Sequence, residues 1–216
     1  MLRNCLFLNI LRKPLLQPIK RETLKIMGKL KGILSLGLIV ILPGMLLVAM
    51  SYLGASHPLE NTFVKKEWAF LQSSENSVEV LFFGYAGCSF ICPNALIKLG
   101  NAIDELQTEE NVEDIGGFFI DVNAALQLDR AQEYAQFFSP NIQGINTTEE
   151  SLGRLQREFK IRIREDNEVE GALFHTDHFF VLKKMDGRWE IARVLANDTP
   201  KQEVKKILLE TLKNQQ

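Results

Sequence analysis

Val78-Glu79-Val80-Leu81-Phe82-Phe83-Gly84-Tyr85-Ala86-Gly87-Cys88-Ser89-Phe90-Ile91-Cys92-Pro93 is the stretch that decides how the chain is read. Its first six residues form an apolar run bounded by polar residues and Gly84, the pattern of a central strand covered on both faces. Pro93 suits a first helical turn, where its missing N–H leaves nothing unsatisfied. Ala95, Leu96, Leu99, Ile103 and Leu106 then recur at helical spacing. Cys88 and Cys92 therefore mark a strand-to-helix junction, past the C-terminal end of a strand, where α/β folds place their sites.

Outward from this junction the pattern continues. Residues 115–122 read as a second apolar strand, and 128–138 as a helix stopped at Ser139-Pro140. Residues 141–145 read as a short strand, and 152–159 as a helix capped by Thr147 or Thr148. The charged residues 161–170 read as a loop or a ragged edge hairpin. Residues 178–184 and 189–195 flank Met185-Asp186-Gly187-Arg188, a strong antiparallel hairpin signal. Residues 200–212 form a closing amphipathic helix, and 66–71 a helical turn or short strand. The order predicts an α/β sandwich with a mixed sheet.

The N-terminal quarter differs. Residues 33–53 carry no charge, and 21 residues rising 1.5 Å each are enough to cross a hydrocarbon core of roughly 30 Å. Lys25, Lys29 and Lys31 flank the run on one side only, which orients the N-terminus to the cytoplasm, or to the matrix in a mitochondrion. The expected division is a basic cytoplasmic or targeting segment over 1–32, a transmembrane anchor over 33–54, a linker and degenerate lead-in over 55–77, and the globular domain over 78–216. A cleaved signal peptide and a buried core helix are the competing readings of the apolar run, and Met27 is an alternative start. The expected location is a single pass through the inner membrane with the C-terminal domain in the periplasm. Its alternative is the mitochondrial inner membrane, facing the intermembrane space.

The formal net charge of -2 hides an asymmetry. Residues 1–31 hold eight basic residues and one acid, Glu22, leaving 17 basic and 26 acidic residues in the remainder, a net of -9. So acidic a globular part excludes nucleic acid as a partner. Asp104-Glu105, Glu109-Glu110 and Glu113-Asp114 read as a solvated helix end and loop, or as a docking surface for a basic partner. Three cysteines, Cys5 included, do not make a disulfide scaffold.

Cys88 and Cys92 are four apart at a helix start, so the thiols can approach closely, and a helix N-terminus favours thiolates. Such a pair binds a soft metal ion or cycles between dithiol and disulfide. An imidazole would complete a three-donor site. His175 and His178 are three apart, so in an extended strand they point to opposite faces and one of them is expected to face the site. His57 lies in the linker.

The segment from Phe82 to Pro93 resembles the cysteine turn of the SCO/SenC family of membrane-anchored, thioredoxin-like copper chaperones. Asp177-His178, just before a strand and the Asp186-Gly187 turn, resembles that family's Asp-His element. The resemblance implies a thioredoxin-like mixed-sheet sandwich and copper held by Cys88, Cys92 and His178. The implied role is delivery of copper to the copper-bearing subunit of cytochrome c oxidase, or to another copper protein. Ser89-Phe90 replaces the family's Pro-Asp between the cysteines, and Asp121-Val122 stands where it has Asp-Pro. The other readings are a membrane-tethered thiol–disulfide oxidoreductase without a stable metal, in which Cys88 and Cys92 are the catalytic pair; a thioredoxin-like peroxidase; and a non-catalytic interaction domain.

Overall fold

The computed structural model describes residues 41–48, 56–89, 91–124, 130–165 and 173–214. The chain divides into two compact units, Met1–Ala55 and Ser56–Gln216. In the first, the described part is a helix over residues 41–48, α1. The expected transmembrane segment, and with it the single-pass location, is corrected: among the described residues no helix is long and apolar enough to cross a membrane. Eight residues of helix rise only about 12 Å, against a hydrocarbon core of roughly 30 Å. The rest of the expected span, the basic segment and Cys5 lie outside the described residues.

The second unit is built on β2 (Val78–Gly84), flanked by parallel β3 (Ile115–Asp121) and antiparallel β7 (Phe179–Met185). β4 (Ile142–Ile145) extends the parallel side, and β8 (Arg188–Leu195) with β1 (Thr62–Phe63) the antiparallel side. The strand order is β1-β8-β7-β2-β3-β4. A separate two-stranded ladder pairs β5 (Ile163–Glu165) with β6 (Leu173–His175). The helices are α2 (Ala69–Gln72), α3 (Ile91–Glu109), α4 (Ala131–Phe138), α5 (Glu149–Phe159) and α6 (Lys201–Lys213).

Strand alternation divides the core between two faces. Val78, Val80 and Phe82 of β2, with Phe179 and Val181 of β7, face Leu96, Leu99 and Ile103 of α3 and Val204 and Leu208 of α6. Leu81 and Phe83, with Phe180 and Leu182, face Leu71 of α2 and Leu155 and Phe159 of α5. Phe82, Phe83, Phe118, Phe119, Phe159, Phe179 and Phe180 are fully buried, and each such side chain stabilises the fold by about 1.5–3 kcal/mol. Both faces of β2 are covered, which is why its sequence runs apolar instead of alternating.

The mixed sandwich expected from the sequence is present. The lead-in before residue 78 also contributes structure: Thr62 pairs with Ile191 in β8, and Trp68 and Leu71 are buried. Thr148 caps α5, its Oγ1 accepting from Ser151 N–H at 3.2 Å while Ser151 Oγ accepts from Thr148 N–H at 2.9 Å. Much of the acidic run is engaged within the chain. Lys201 bonds Glu105, and Lys205 reaches Glu109 at 2.6 Å, tying α6 to α3. Asp104 accepts from Ser139 and Asn141, and Asp114 from Ser77 N–H.

Candidate functional site

β2 ends at Gly84, and the chain turns through Tyr85-Ala86-Gly87 before α3. Cys88 N–H donates to the Tyr85 carbonyl at 3.1 Å. Asp121, paired with Gly84 across the β2–β3 ladder, braces the turn. Its Oδ2 accepts from Ala86 N–H at 3.4 Å and its Oδ1 from Asn123 N–H at 2.8 Å. Burial raises the Asp121 pKa above the usual carboxylate range, against the opposing pull of these two donors. From α4, the Tyr134 hydroxyl donates to the Cys88 carbonyl at 3.1 Å, its ring lying beside Phe119 and Phe138.

The two thiols stand in different surroundings. Cys92 is wholly buried among core side chains, Cys88 is half-buried, and neither is in a disulfide. Cys92 N–H points at Cys88 Sγ, 3.4 Å away. The helix start was expected to favour thiolate, and at Cys92 this is corrected: desolvation raises its pKa and outweighs the Tyr85 backbone, which pulls it down. Cys92 therefore rests as a neutral thiol.

Gly84 makes room for that thiol. A Cβ there would lie 2.8 Å from Cys92 Sγ and 2.8 Å from Phe119 Cε2. Gly84→Ala is therefore expected to cost about 1–3 kcal/mol as an overpacking change and to push Cys92 outward. Denaturant unfolding measures the first effect, and the rate of Cys92 alkylation in a Cys88→Ser background the second. Unchanged stability together with an unchanged alkylation rate would contradict this account of Gly84.

The two histidines lie in different surroundings: His175 ends β6, and His178 precedes β7. His175, the last residue of β6, brings its Nε2 to 3.7 Å from Cys92 Sγ. His178 has its Nδ1 3.9 Å from Asp177 Oδ1, and its ring centroid 6.2 Å from that of His57. Among the described residues no group of three or more His, Cys, Asp or Glu is gathered closely enough to hold a metal ion. This holds for Cys88 and Cys92 with His175 as much as with His178. The neighbours of the thiols that sequence reasoning passed over are Tyr85 and Tyr134. Their only advance signal was aromatic chemistry in segments expected to be turn and helix.

A dithiol at a strand-to-helix turn of a mixed sheet, helices on both faces, defines a thioredoxin-like dithiol protein. A family model described as SCO1/SenC matches residues 69–213, and the chain belongs to that family. It is 30% identical over 107 residues to the mitochondrial Protein SCO1 homolog 1 of Arabidopsis thaliana, covering 49% of this chain and 31% of that relative. The chain thus spans about a third of that relative's length. The fold resembles copper-bound ScoI of Arabidopsis thaliana, with a TM-score of 0.57 at 20% identity over 64% of this chain and 85% of that one. It also resembles apo Sco1 from Thermus thermophilus, with a TM-score of 0.54 at 22% identity over 74% and 99%.

Proposed function

We propose that this protein is a copper carrier that takes Cu(I) as cargo on Cys88 and Cys92 and passes it to a copper protein. The client that the family resemblance implies is the copper-bearing subunit of cytochrome c oxidase. The observation that carries the reading is the Cys92–His175 approach at 3.7 Å, beside a second, more accessible thiol. Two sulfurs and an imidazole are a soft donor set that favours Cu(I). The copper-bound state of the similar Arabidopsis structure supports the same reading. His178, the ligand implied by the Asp177-His178 resemblance, remains the alternative source of imidazole.

Unequal burial suits stepwise loading. Cys88 meets an incoming donor first, and Cys92 completes the grip by losing its proton. Cys88 Sγ must then turn away from Cys92 N–H to share the ion. The test is Cu(I) retention by the reduced full chain against a chromogenic Cu(I) chelator. One equivalent is expected to be retained, and Cys88→Ser and Cys92→Ser are each expected to weaken retention at least tenfold. Retention unchanged in both variants would sink the proposal.

The same asymmetry favours a second reading, thiol–disulfide exchange. Cys88 as thiolate would attack a partner disulfide, releasing one partner thiol and forming a mixed disulfide. Cys92, deprotonated, would then attack Cys88 Sγ, releasing the second partner thiol and closing the Cys88–Cys92 disulfide. Two electrons pass to the partner. Failure to retain Cu(I), with reversible dithiol–disulfide cycling intact, would select this reading.

A further inference from the structure

We propose that Lys160, Arg162 and Arg164, with the exposed ring of Phe174, form a docking surface for an acidic segment of the polypeptide that reacts with the thiols. The inference rests on what both readings above share, that a protein partner brings its sulfur to Cys88.

Charge is distributed unevenly along the chain. Residues 154–164 hold five basic residues and one acid, Glu158, a net of +4. The rest of 32–216 holds 12 basic and 25 acidic residues, a net of -13. Glu158 is itself engaged, its Oε1 accepting from Lys65 N–H at 2.7 Å. Elsewhere in the globular unit Lys183 and the α6 lysines Lys201, Lys205 and Lys206 are matched by carboxylates. Arg157, Lys160, Arg162 and Arg164 are exposed and form no ion pair among the described residues.

The fold sets these cations in a row. Ile161 is buried and Ile163 half-buried, while Lys160, Arg162 and Arg164 face solvent. Such alternation turns the isoleucines to the core and the cations outward. Arg162 and Arg164, two apart in extended chain, stand roughly 7 Å apart, the repeat of every second residue in an extended partner. Glu165, the next residue, falls on the other face of its strand. Arg164 pairs with Phe174 across the β5–β6 ladder, and its guanidinium carbon lies 5.4 Å from the centre of that ring. Phe174 is 54% exposed. A guanidinium seated on an aromatic face keeps its donor fork free for a carboxylate, and an exposed aromatic is the usual anchor of an interface.

The row lies beside the thiols. Arg162 N–H donates to Thr176 Oγ1 and Thr176 N–H to the Arg162 carbonyl, each at 3.0 Å. Thr176 follows His175, whose Nε2 is 3.7 Å from Cys92 Sγ. In a mixed disulfide the two Cα atoms stand about 4.4–6.8 Å apart, so a partner reaching Cys88 brings its flanking residues within a short stretch of the row. Among anionic occupants, a polypeptide carries both the carboxylates and the sulfur the site reacts with. A phospholipid headgroup carries no such sulfur.

The test uses two synthetic peptides of about eight residues, long enough to span about 26 Å. Each bears one cysteine activated as a mixed disulfide with a chromogenic aromatic thiol. One carries aspartate at alternate positions, the other asparagine. They are reacted with the reduced full chain in a Cys5→Ser background, and release of the chromogenic thiolate reads the rate of thiol attack. Asp166, Glu168 and Glu170 follow the row in the sequence, so any preference measured on the full chain is net of them. The aspartate peptide is expected to react about tenfold faster at low salt. The gap is expected to close between about 0.01 M and about 1 M salt, as the screening length falls from about 30 Å to about 3 Å. Arg162→Gln/Arg164→Gln is expected to lose most of the preference and Arg162→Lys/Arg164→Lys to keep most of it. Both should react with neutral dithiodipyridine at the unmodified rate, which shows that the thiols are intact. Equal rates for the two peptides overturn the inference and leave the thiol chemistry standing. A preference that survives in Arg162→Gln/Arg164→Gln arises elsewhere, residues 1–31 included, and overturns it too. So does binding to phosphatidylserine vesicles that this variant loses, when no peptide preference is seen; the row then meets a lipid surface. No reaction with either peptide and no Cu(I) retained overturns the underlying reading as well.

Discussion

Between pH 5 and pH 8 the protein is expected to lose about 3 kcal/mol more folding stability than Glu79→Gln does, at about 1.4 kcal/mol per pKa unit. Glu79 lies in β2, 1% exposed. Its Oε1 accepts from Ser74 Oγ at 2.5 Å and Asn76 Nδ2 at 2.8 Å, while Oε2 is buried without a partner. Desolvation raises its pKa from 4.5 to about 7, against the lowering effect of the Ser74 and Asn76 hydrogen bonds. The native state therefore keeps the proton over a range where the unfolded chain has released it. A folded pKa raised above the unfolded one contributes stability that is complete below about 4.5 and lost as pH rises to about 7. Urea unfolding of both proteins at pH 5, 6, 7 and 8 measures the difference in slope. Parallel curves would show that Glu79 ionises normally.

Gly144→Ala is expected to cost more than about 3 kcal/mol, the upper range for overpacking. A Cβ there would lie 1.9 Å from the Ala131 carbonyl oxygen and 2.3 Å from Gln132 N. These are backbone atoms of the first turn of α4, so no side-chain rotation relieves the clash. β4 and α4 must part, although Gly144 N–H donates to Gln132 Oε1 at 2.7 Å across that boundary. α4 also carries Tyr134, whose hydroxyl holds the Cys88 carbonyl. The variant should therefore unfold at lower denaturant and also alkylate faster at Cys88 under native conditions. A loss below about 1 kcal/mol would mean that the two elements separate easily, contrary to ordinary core packing.

The central sheet was legible because its strands are buried on both faces and read as continuous apolar runs, as Val78 to Phe83 and Phe179 to Leu182 do. The Asp186-Gly187 turn was legible because Asp186 adopts a positive φ of 51° and Gly187 one of 75°. β5 and β6 were not. Their three-residue strands hold Ile163, half-buried, beside exposed Arg164 and Glu165, a pattern with neither apolar period. β1 was missed for the same reason, its two residues being too few to show a period before they pair with β8. In the site, the cysteines announced themselves by spacing. That His175 ends β6 was not legible, because this boundary is set by the pairing of residues far apart in sequence.

The position of Glu79 and Gly84 on one strand has a practical consequence. Gly84 lies five positions after Glu79 along β2, roughly 16 Å away, beyond the distance at which substitutions usually interfere. The strand divides its labour: its entry end carries a removable stability deficit above neutral pH, and its exit end carries the chemistry. A Glu79→Gln chain studied at pH 8 is therefore a reinforced background. Site variants such as Gly84→Ala, too fragile to assay alone, can be examined there while folded.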